Sequence, residues 1–150
     1  MCAFCGSETE TELCSLAYDH AEIGDLANEV GTALDACQLA RAHGLMSKLL
    51  KLYDQHVAEE ESGLFRELAD AGEAAAEIKW LESEHRTLRR RMSLAVLEDF
   101  RGIRSVLRDL CRHADMEDTD LFPFAQQVLA DKRWVGLGGH PHTETRPGDC

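Results

Sequence analysis

A ten-residue segment of this sequence occurs twice, and each copy carries a histidine followed four residues later by a glutamate. The first copy, HVAEEESGLF, begins at His56, and the second, HADMEDTDLF, begins at His113. Both follow the pattern H-x-x-x-E-[ED]-x-x-L-F. Residues four apart in an α-helix lie one turn above each other on the same face. The repeat therefore predicts two helices that each present an imidazole and a carboxylate to one point.

The repeats lie within longer stretches in which apolar residues recur at steps of three and four, as on one face of a helix. Four such stretches cover about residues 12–34, 39–68, 73–92 and 97–129. Gly44 is expected to interrupt the second early, and Pro123 to kink or break the fourth. Four amphipathic segments with short connections are typical of an antiparallel up-and-down four-helix bundle. We predict this all-α fold for residues 12–130, with four aromatic residues in its core: Phe65, Trp80, Phe100 and Phe122.

Two terminal segments, residues 1–11 and 131–150, are predicted to flank the bundle. The first contains Cys2-Ala-Phe-Cys5, a C-x-x-C that lacks the strand-to-helix setting of a thioredoxin-type site. Two interpretations stay open: free thiols on a flexible end, or a zinc or redox-sensing site that also uses cysteines or histidines from elsewhere in the chain. The second segment is rich in glycine, proline, threonine and histidine, and we expect it to be mobile.

The overall charge narrows the range of partners. The 150 residues carry a formal net charge of −12, so a nucleic acid or an anionic membrane surface would be repelled. The sequence has no apolar stretch of the roughly 20 residues that a membrane span requires, and its N-terminus lacks the basic and apolar regions that are typical of an export signal. We therefore expect a cytoplasmic protein that binds neither nucleic acid nor membrane.

Two more histidines, His20 and His85, lie on the apolar faces of the first and third segments. The chain thus consists of two copies of a helix pair, each with one lone histidine and one H-x-x-x-E. Unpaired charges in a bundle interior would be strongly unfavourable, and a metal removes that difficulty. Imidazoles combined with carboxylates suit iron, manganese or zinc, and we favour iron. The predicted ligands are His20, His56, Glu60, His85, His113 and Glu117. The alternative is a set of ion pairs on helix surfaces.

This set of histidines and glutamates resembles the hemerythrin-like, or HHE cation-binding, domain of the bacterial type, over about residues 12–130. The resemblance implies a non-haem centre of two iron ions joined by an oxo or hydroxo bridge. It also implies that Glu60 and Glu117 bridge the two ions and that the four histidines are terminal ligands.

One ligand of the oxygen carriers in that family is missing here. The carriers place two histidines four residues apart on the third helix, but the residue four before His85 is Leu81. Tyr53, three residues before His56 on the predicted ligand face, could fill the vacancy as a phenolate ligand. The alternative is a packed tyrosine whose hydroxyl is hydrogen-bonded.

Two further alternatives concern the choice of carboxylate and of site type. The carriers use a carboxylate five residues after the last histidine, which would be Asp118, whereas the internal repeat favours Glu117. A ferritin-like diiron site would need Glu-x-x-His on two helices, and only Glu82 with His85 satisfies that spacing. We therefore prefer Glu117, keep Asp118 as the second choice, and favour the hemerythrin-like centre.

The resemblance implies that the centre handles small molecules: dioxygen, hydrogen peroxide or nitric oxide. The missing histidine leaves room for a ligand or water at one iron, which favours reaction over reversible storage. We expect a diiron oxidoreductase with peroxidase-like or catalase-like turnover and an unidentified electron donor. The alternatives are a non-enzymatic carrier or sensor of oxygen, nitric oxide or iron, and a bundle stabilised by an inert metal site.

Overall fold

The computed structural model describes the backbone of residues 8–136 and the side chains of residues 12–130. Within this range the chain forms six α-helices and one π-helical turn, and no strand. The α-helices are α1 Glu8–Asp35, α2 Leu39–Ser62, α3 Leu64–Asp70, α4 Ala75–Leu97, α5 Ile103–Met116 and α6 Phe122–Gly136. The π-helical turn, Glu117–Leu121, joins α5 to α6. The predicted all-α four-helix bundle is confirmed: its four rods are α1, α2 with α3, α4, and α5 with the π-helical turn and α6.

Short connections allow neighbouring rods to pack along their lengths. Only three residues separate α1 from α2, and the turn is closed by a left-handed residue, Cys37, with φ of 54°. The amide of Gln38 donates to the carbonyl of Ala33, and that of Cys37 donates to the carbonyl of Leu34. This pattern of two hydrogen bonds is the Schellman motif, which satisfies carbonyls at a helix end. No helix within residues 8–136 is long and apolar enough to cross a bilayer.

Both copies of the internal repeat depart from regular α-helix shortly after their glutamate. In the first copy, α2 ends at Ser62, and a β-carbon at Gly63 would lie 2.9 Å from the carbonyl oxygen of Glu59. A side chain at this position would therefore force the backbone to move. In the second copy the π-helical turn takes the place of the break, and Pro123 follows in the first turn of α6. A proline fits here better than inside an uninterrupted α-helix, because the π-helical turn has already broken the regular pattern of hydrogen bonds.

The expected positions of the interruptions were therefore partly wrong. Gly44 does not interrupt α2, because a single glycine in a helix is destabilising by only about 1 kcal/mol and the surrounding packing overrides it. The second predicted segment instead divides at Gly63. The fourth is irregular just before Pro123, as expected, although it takes the form of a π-helical turn. The third continues to Leu97, beyond its predicted end.

Two apolar clusters form the core and lie on either side of a polar layer. This layer consists of the buried ionisable side chains: His20, His56, Glu60, His85, His113 and Glu117. One cluster includes Leu49, Met92 and Val106, and the other includes Phe65 and Phe122. On each rod the buried histidine lies between residues of one cluster and residues of the other. The polar layer is therefore enclosed along the bundle axis by apolar side chains.

Of the four aromatic residues predicted in the core, three are buried: Phe65, Phe100 and Phe122. The prediction for Trp80 was wrong, since 52% of this residue is exposed. The inner face of α4 contains Ile78, Leu81 and His85. Trp80 lies one position before Leu81, about 100° away around the helix, and so points outward.

Candidate metal centre

Six ionisable side chains meet in the polar layer of the bundle, and each is at most 6% exposed. They are His20 from α1, His56 and Glu60 from α2, His85 from α4, His113 from α5 and Glu117 from the π-helical turn. Because steps of four residues keep to one helix face, α2 directs both His56 and Glu60 inward. The structure thus brings together all six of the side chains that the sequence singled out first.

The carboxylate of Glu117 lies between two pairs of imidazoles. Its Oε2 atom is 3.1 Å from Nε2 of His20, which in turn is 3.0 Å from Nε2 of His56. Its Oε1 atom is 3.0 Å from Nε2 of His113 and 3.5 Å from Nε2 of His85. Each oxygen of this one carboxylate therefore faces a different pair.

These side chains form two groups that could each hold a metal ion. One group contains His20, His56 and Glu117, and the other contains His85, His113 and Glu117, with the ligand atoms of each group within 4.8 Å of one another. Ligands about 2 Å from a common ion lie about 3–4 Å apart in tetrahedral or octahedral geometry, so both groups are compact enough. The shared Glu117 suits two adjacent ions.

The other glutamate, Glu60, lies on one side of this arrangement. Its Oε2 atom is 3.3 Å from Nε2 of His85, yet neither of its oxygens has a hydrogen-bond partner. The same holds for both oxygens of Glu117 and for Nε2 of His85 and His113, because these close contacts lack hydrogen-bond geometry. Buried polar groups without partners are strongly unfavourable. Cations among these atoms would satisfy them, so the donor set fits a metal centre.

Burial and neighbouring charges shift the pKa values of the layer's side chains in opposite directions. Burial and, to a smaller extent, the nearby His20 lower the pKa of His56 to about 3. Burial also lowers the pKa of His20, but its contacts with Asp118 and Glu117 outweigh this effect and raise the pKa to about 9. Burial raises the pKa of Glu60, whereas the three imidazoles around Glu117 outweigh burial and hold its pKa well below the usual range. Neutral imidazoles and ionised carboxylates are the forms that bind metals.

The structure places Tyr53 beside the layer, with its hydroxyl turned to the backbone. The hydroxyl donates a hydrogen bond of 3.1 Å to the carbonyl of His85, and the ring is buried. Burial raises the pKa of this phenol above its ordinary value, and nearby carboxylates raise it further. This is the hydrogen-bonded arrangement that the sequence left open as the alternative to ligation. Leu81, at the position of the missing ligand, is buried in an apolar cluster.

Asp118, the second choice for the last ligand, lies on the far side of an imidazole from Glu117. Its Oδ1 atom is 2.8 Å from Nδ1 of His20, and 37% of its side chain is exposed. Sequence reasoning missed that Asp19, Glu61 and Glu84 occupy equivalent places, each near the Nδ1 atom of a buried histidine. Their positions could have indicated this role, because each of these carboxylates is adjacent in the sequence to a predicted ligand.

Metal removal is expected to destabilise this protein, since it leaves the buried carboxylates without partners. An ion present at 100 times its dissociation constant contributes about 2.7 kcal/mol, which corresponds to about 5–10 °C in Tm for a chain of this size. Scanning calorimetry with ferrous iron and with a chelator measures the difference. In Glu117→Gln the difference should shrink, whereas in Glu59→Gln, which alters an exposed carboxylate, it should persist. Equal Tm values for the two wild-type samples would contradict the prediction.

Replacing Tyr53 by phenylalanine is expected to leave the visible spectrum of the ferric protein unchanged, because the hydroxyl bonds to the backbone. The variant should lose about 0.5–1.5 kcal/mol of unfolding free energy with that hydrogen bond. Absorption and resonance Raman spectra, with Tyr18→Phe as an exposed control, provide the measurement. A tyrosinate charge-transfer band that disappears only in Tyr53→Phe would establish ligation instead.

Comparison with known proteins agrees with this geometry. No match was found among curated proteins or among solved structures. The model of the hemerythrin HHE cation-binding domain matches residues 15–125, a range that contains all six buried ionisable side chains. Since this match covers most of the chain, the protein belongs to the hemerythrin HHE cation-binding family.

Proposed function

We propose that this protein is a non-haem diiron protein that binds and reacts with small oxidants: dioxygen, hydrogen peroxide or nitric oxide. The observation that carries the proposal is the position of Glu117, whose two oxygens face separate pairs of buried imidazoles. A carboxylate shared in this way supports a pair of ions rather than a single one. Iron is the proposed metal because imidazole and carboxylate ligands suit it and because the family binds cations.

The proposed ligand set divides the side chains between the two ions. His20 and His56 would hold one ion, His85 and His113 would hold the other, and Glu117 and Glu60 would be the carboxylates shared between the two. When bound, the two irons would supply one electron each to a small oxidant. The protein holds the ligands in place and keeps bulk water out, because apolar clusters lie on both sides of the layer.

The apolar residue at Leu81 supports a role in reaction rather than a closed structural site. A histidine four residues before His85 would project from the same face of α4, but leucine offers no ligand atom. The proposed centre therefore has fewer protein ligands than that of the oxygen carriers. An ion held by His85 and His113 would therefore have room for water or an exogenous ligand.

A small cleft would allow a ligand to approach the polar layer from the side of His20. It has a volume of about 260 Å³ and lies between α1 and α5, with Ala17, Ala21, Gly24 and Ala114 in its walls. His20 and Asp118 also line it, so it reaches the edge of the polar layer. Small side chains line much of this cleft, so its size suits a diatomic molecule or a peroxide better than a larger substrate.

A carrier or sensor is the second candidate, and the surroundings of the imidazoles favour it. Phe65 stacks on His85 and Phe122 stacks on His20, with ring centroids 5.7 Å and 5.4 Å apart. The hydroxyl of Tyr53 is already committed to a backbone carbonyl. Turnover of peroxide requires protons, and these neighbours provide none, whereas reversible binding of a diatomic ligand needs no proton donor.

Removing either bridging carboxylate is expected to lose both ions together. Glu117→Ala takes a shared ligand from both imidazole pairs, and Glu60→Ala removes the second proposed bridge. Iron content per chain, measured by plasma emission spectroscopy after loading and desalting, should be two for the wild type and close to zero for each variant. Glu59→Ala, which alters an exposed carboxylate, should retain two. One full ion in either bridging variant would show two independent sites.

Stopped-flow mixing of the reduced protein with hydrogen peroxide and with nitric oxide tests the proposed chemistry. We expect more than one peroxide consumed per diiron site when a reductant is present, since the two irons can be reduced again. Glu117→Ala should not react above the rate of free iron. Reversible binding of one equivalent, without turnover, would establish the carrier. No reaction with either molecule would reject the proposed function.

A further inference from the structure

Four carboxylates lie outside the polar layer, each beside the outer nitrogen of one buried histidine. The contacts to Nδ1 are 2.8 Å for Asp118 with His20, 2.9 Å for Glu61 with His85, 3.0 Å for Glu84 with His113 and 3.4 Å for Asp19 with His56. The Nε2 atoms of the same imidazoles face the centre of the layer. Every histidine of the proposed centre thus has one nitrogen directed inward and the other held by a carboxylate.

We propose that Asp19, Glu61, Glu84 and Asp118, the outer carboxylates, are positioning residues that orient the four imidazoles for metal binding. This inference rests on the proposed function. A neutral imidazole carries its proton on one nitrogen only, and a carboxylate at Nδ1 holds the proton there. The lone pair of Nε2 then faces the metal, and the ring cannot rotate away without losing a hydrogen bond.

The contacts form a closed cycle around the bundle. Asp19 on α1 contacts the histidine of α2, and Glu61 on α2 contacts that of α4. Glu84 on α4 contacts the histidine of α5, and Asp118 in the π-helical turn contacts that of α1. Each imidazole is therefore fixed by a carboxylate from a neighbouring rod, which links the packing of the rods to the geometry of the centre.

The internal repeat contains the same arrangement twice. The acidic position after the glutamate of each copy is Glu61 or Asp118, and each contacts the lone histidine of the other helix pair. The phenylalanine that ends each copy stacks on the same imidazole as that carboxylate: Phe65 on His85, and Phe122 on His20. One side of each lone histidine is therefore set by a hydrogen bond and another by an aromatic ring.

The outer carboxylates differ from ordinary surface acids in the partners they have. Their side chains are 18–37% exposed, so each reaches the edge of the bundle. Among the described side chains, no lysine or arginine pairs with any of them, although arginines such as Arg89 and Arg91 pair with other acids. Within residues 12–130, the buried imidazole is therefore the one ion-pair partner of each outer carboxylate.

Zinc-loaded protein, which is diamagnetic, allows the proposal to be tested by histidine side-chain ¹H–¹⁵N spectra. In the wild type we expect four Nδ1–H protons shifted downfield by hydrogen bonding, with zinc at Nε2. Glu61→Ala should change the signal of His85 alone, and Asp118→Ala that of His20 alone. Zinc affinity, measured by chelator competition, should fall about 10–100-fold in each.

Conservative variants and matched controls separate orientation from general damage. Glu61→Gln and Asp118→Asn keep a hydrogen-bond acceptor, so they should recover part of the affinity and keep the Nδ1–H signal. If an alanine variant does not fold, these two conservative variants can be measured in its place. Glu59→Ala and Asp120→Ala remove nearby exposed acids and should match the wild type.

The outcomes separate this proposal from the proposed function. Unchanged histidine signals and zinc affinity in Glu61→Ala and Asp118→Ala would overturn the role of the outer carboxylates, as would equal effects in the controls. A wild type that binds fewer than two ions would reject the paired centre instead. In that case the Nδ1–H signals are recorded on the metal-free protein. If each alanine variant changes only the signal of its own histidine, the outer carboxylates orient the rings, and if it does not, they have no such role.

Discussion

The burial of two carboxylates and four imidazoles in one layer is the constraint on which the rest of this structure depends. Apolar clusters enclose the layer along the bundle axis, so the polar atoms are shielded from bulk water. The inward atoms of Glu60 and Glu117 have no hydrogen-bond partners. Placing ionised groups in such surroundings costs far more than ordinary surface ion pairs return, unless a cation offsets the loss. Metal binding and folding are therefore expected to be coupled in this protein.

The two irregular places in the helices follow from the same layer. Leu64 and Phe65 come after the break at Gly63 and are both buried. The equivalent residues of the second copy are also buried: Leu121 ends the π-helical turn, and Phe122 follows it. In an uninterrupted α-helix the phenylalanine, five residues after the glutamate, would lie about 140° from it around the axis and would not face the histidine opposite. The irregular backbone changes the register just past the glutamate. Phenylalanine can then stack on an imidazole while leucine fills the apolar cluster.

The duplicated helix pair also explains how one domain provides two equivalent halves. Each half contributes a lone histidine, an H-x-x-x-E pair, an acidic residue and a phenylalanine, and the last two act on the other half. The two halves differ in the contacts that their glutamates make. Glu117 contacts imidazoles of both halves, whereas the contact of Glu60 is with His85. This asymmetry, together with leucine at position 81, makes the two proposed ion sites unequal.

The sequence alone determined the fold class and the ionisable side chains that enter the interior. The period of 3.6 residues fixes which positions share a helix face, so His56 with Glu60 and His113 with Glu117 could be assigned to one face each. It also marked the lone histidines, because they continue the apolar stripes of their own helices. The same rule places Trp80 off the inner face of α4, so its exposure follows from its position on the helix although its size and apolar character favour burial.

Only the tertiary structure decided how these side chains meet. It paired His20 with His56, placed the hydroxyl of Tyr53 on a backbone carbonyl, and set Asp118 at the outer nitrogen of an imidazole. These contacts join residues 32 to 98 positions apart in the chain. Their geometry depends on the rotation and axial offset of one helix against another. Local periodicity carries no information on either quantity, because packing between the helices sets them.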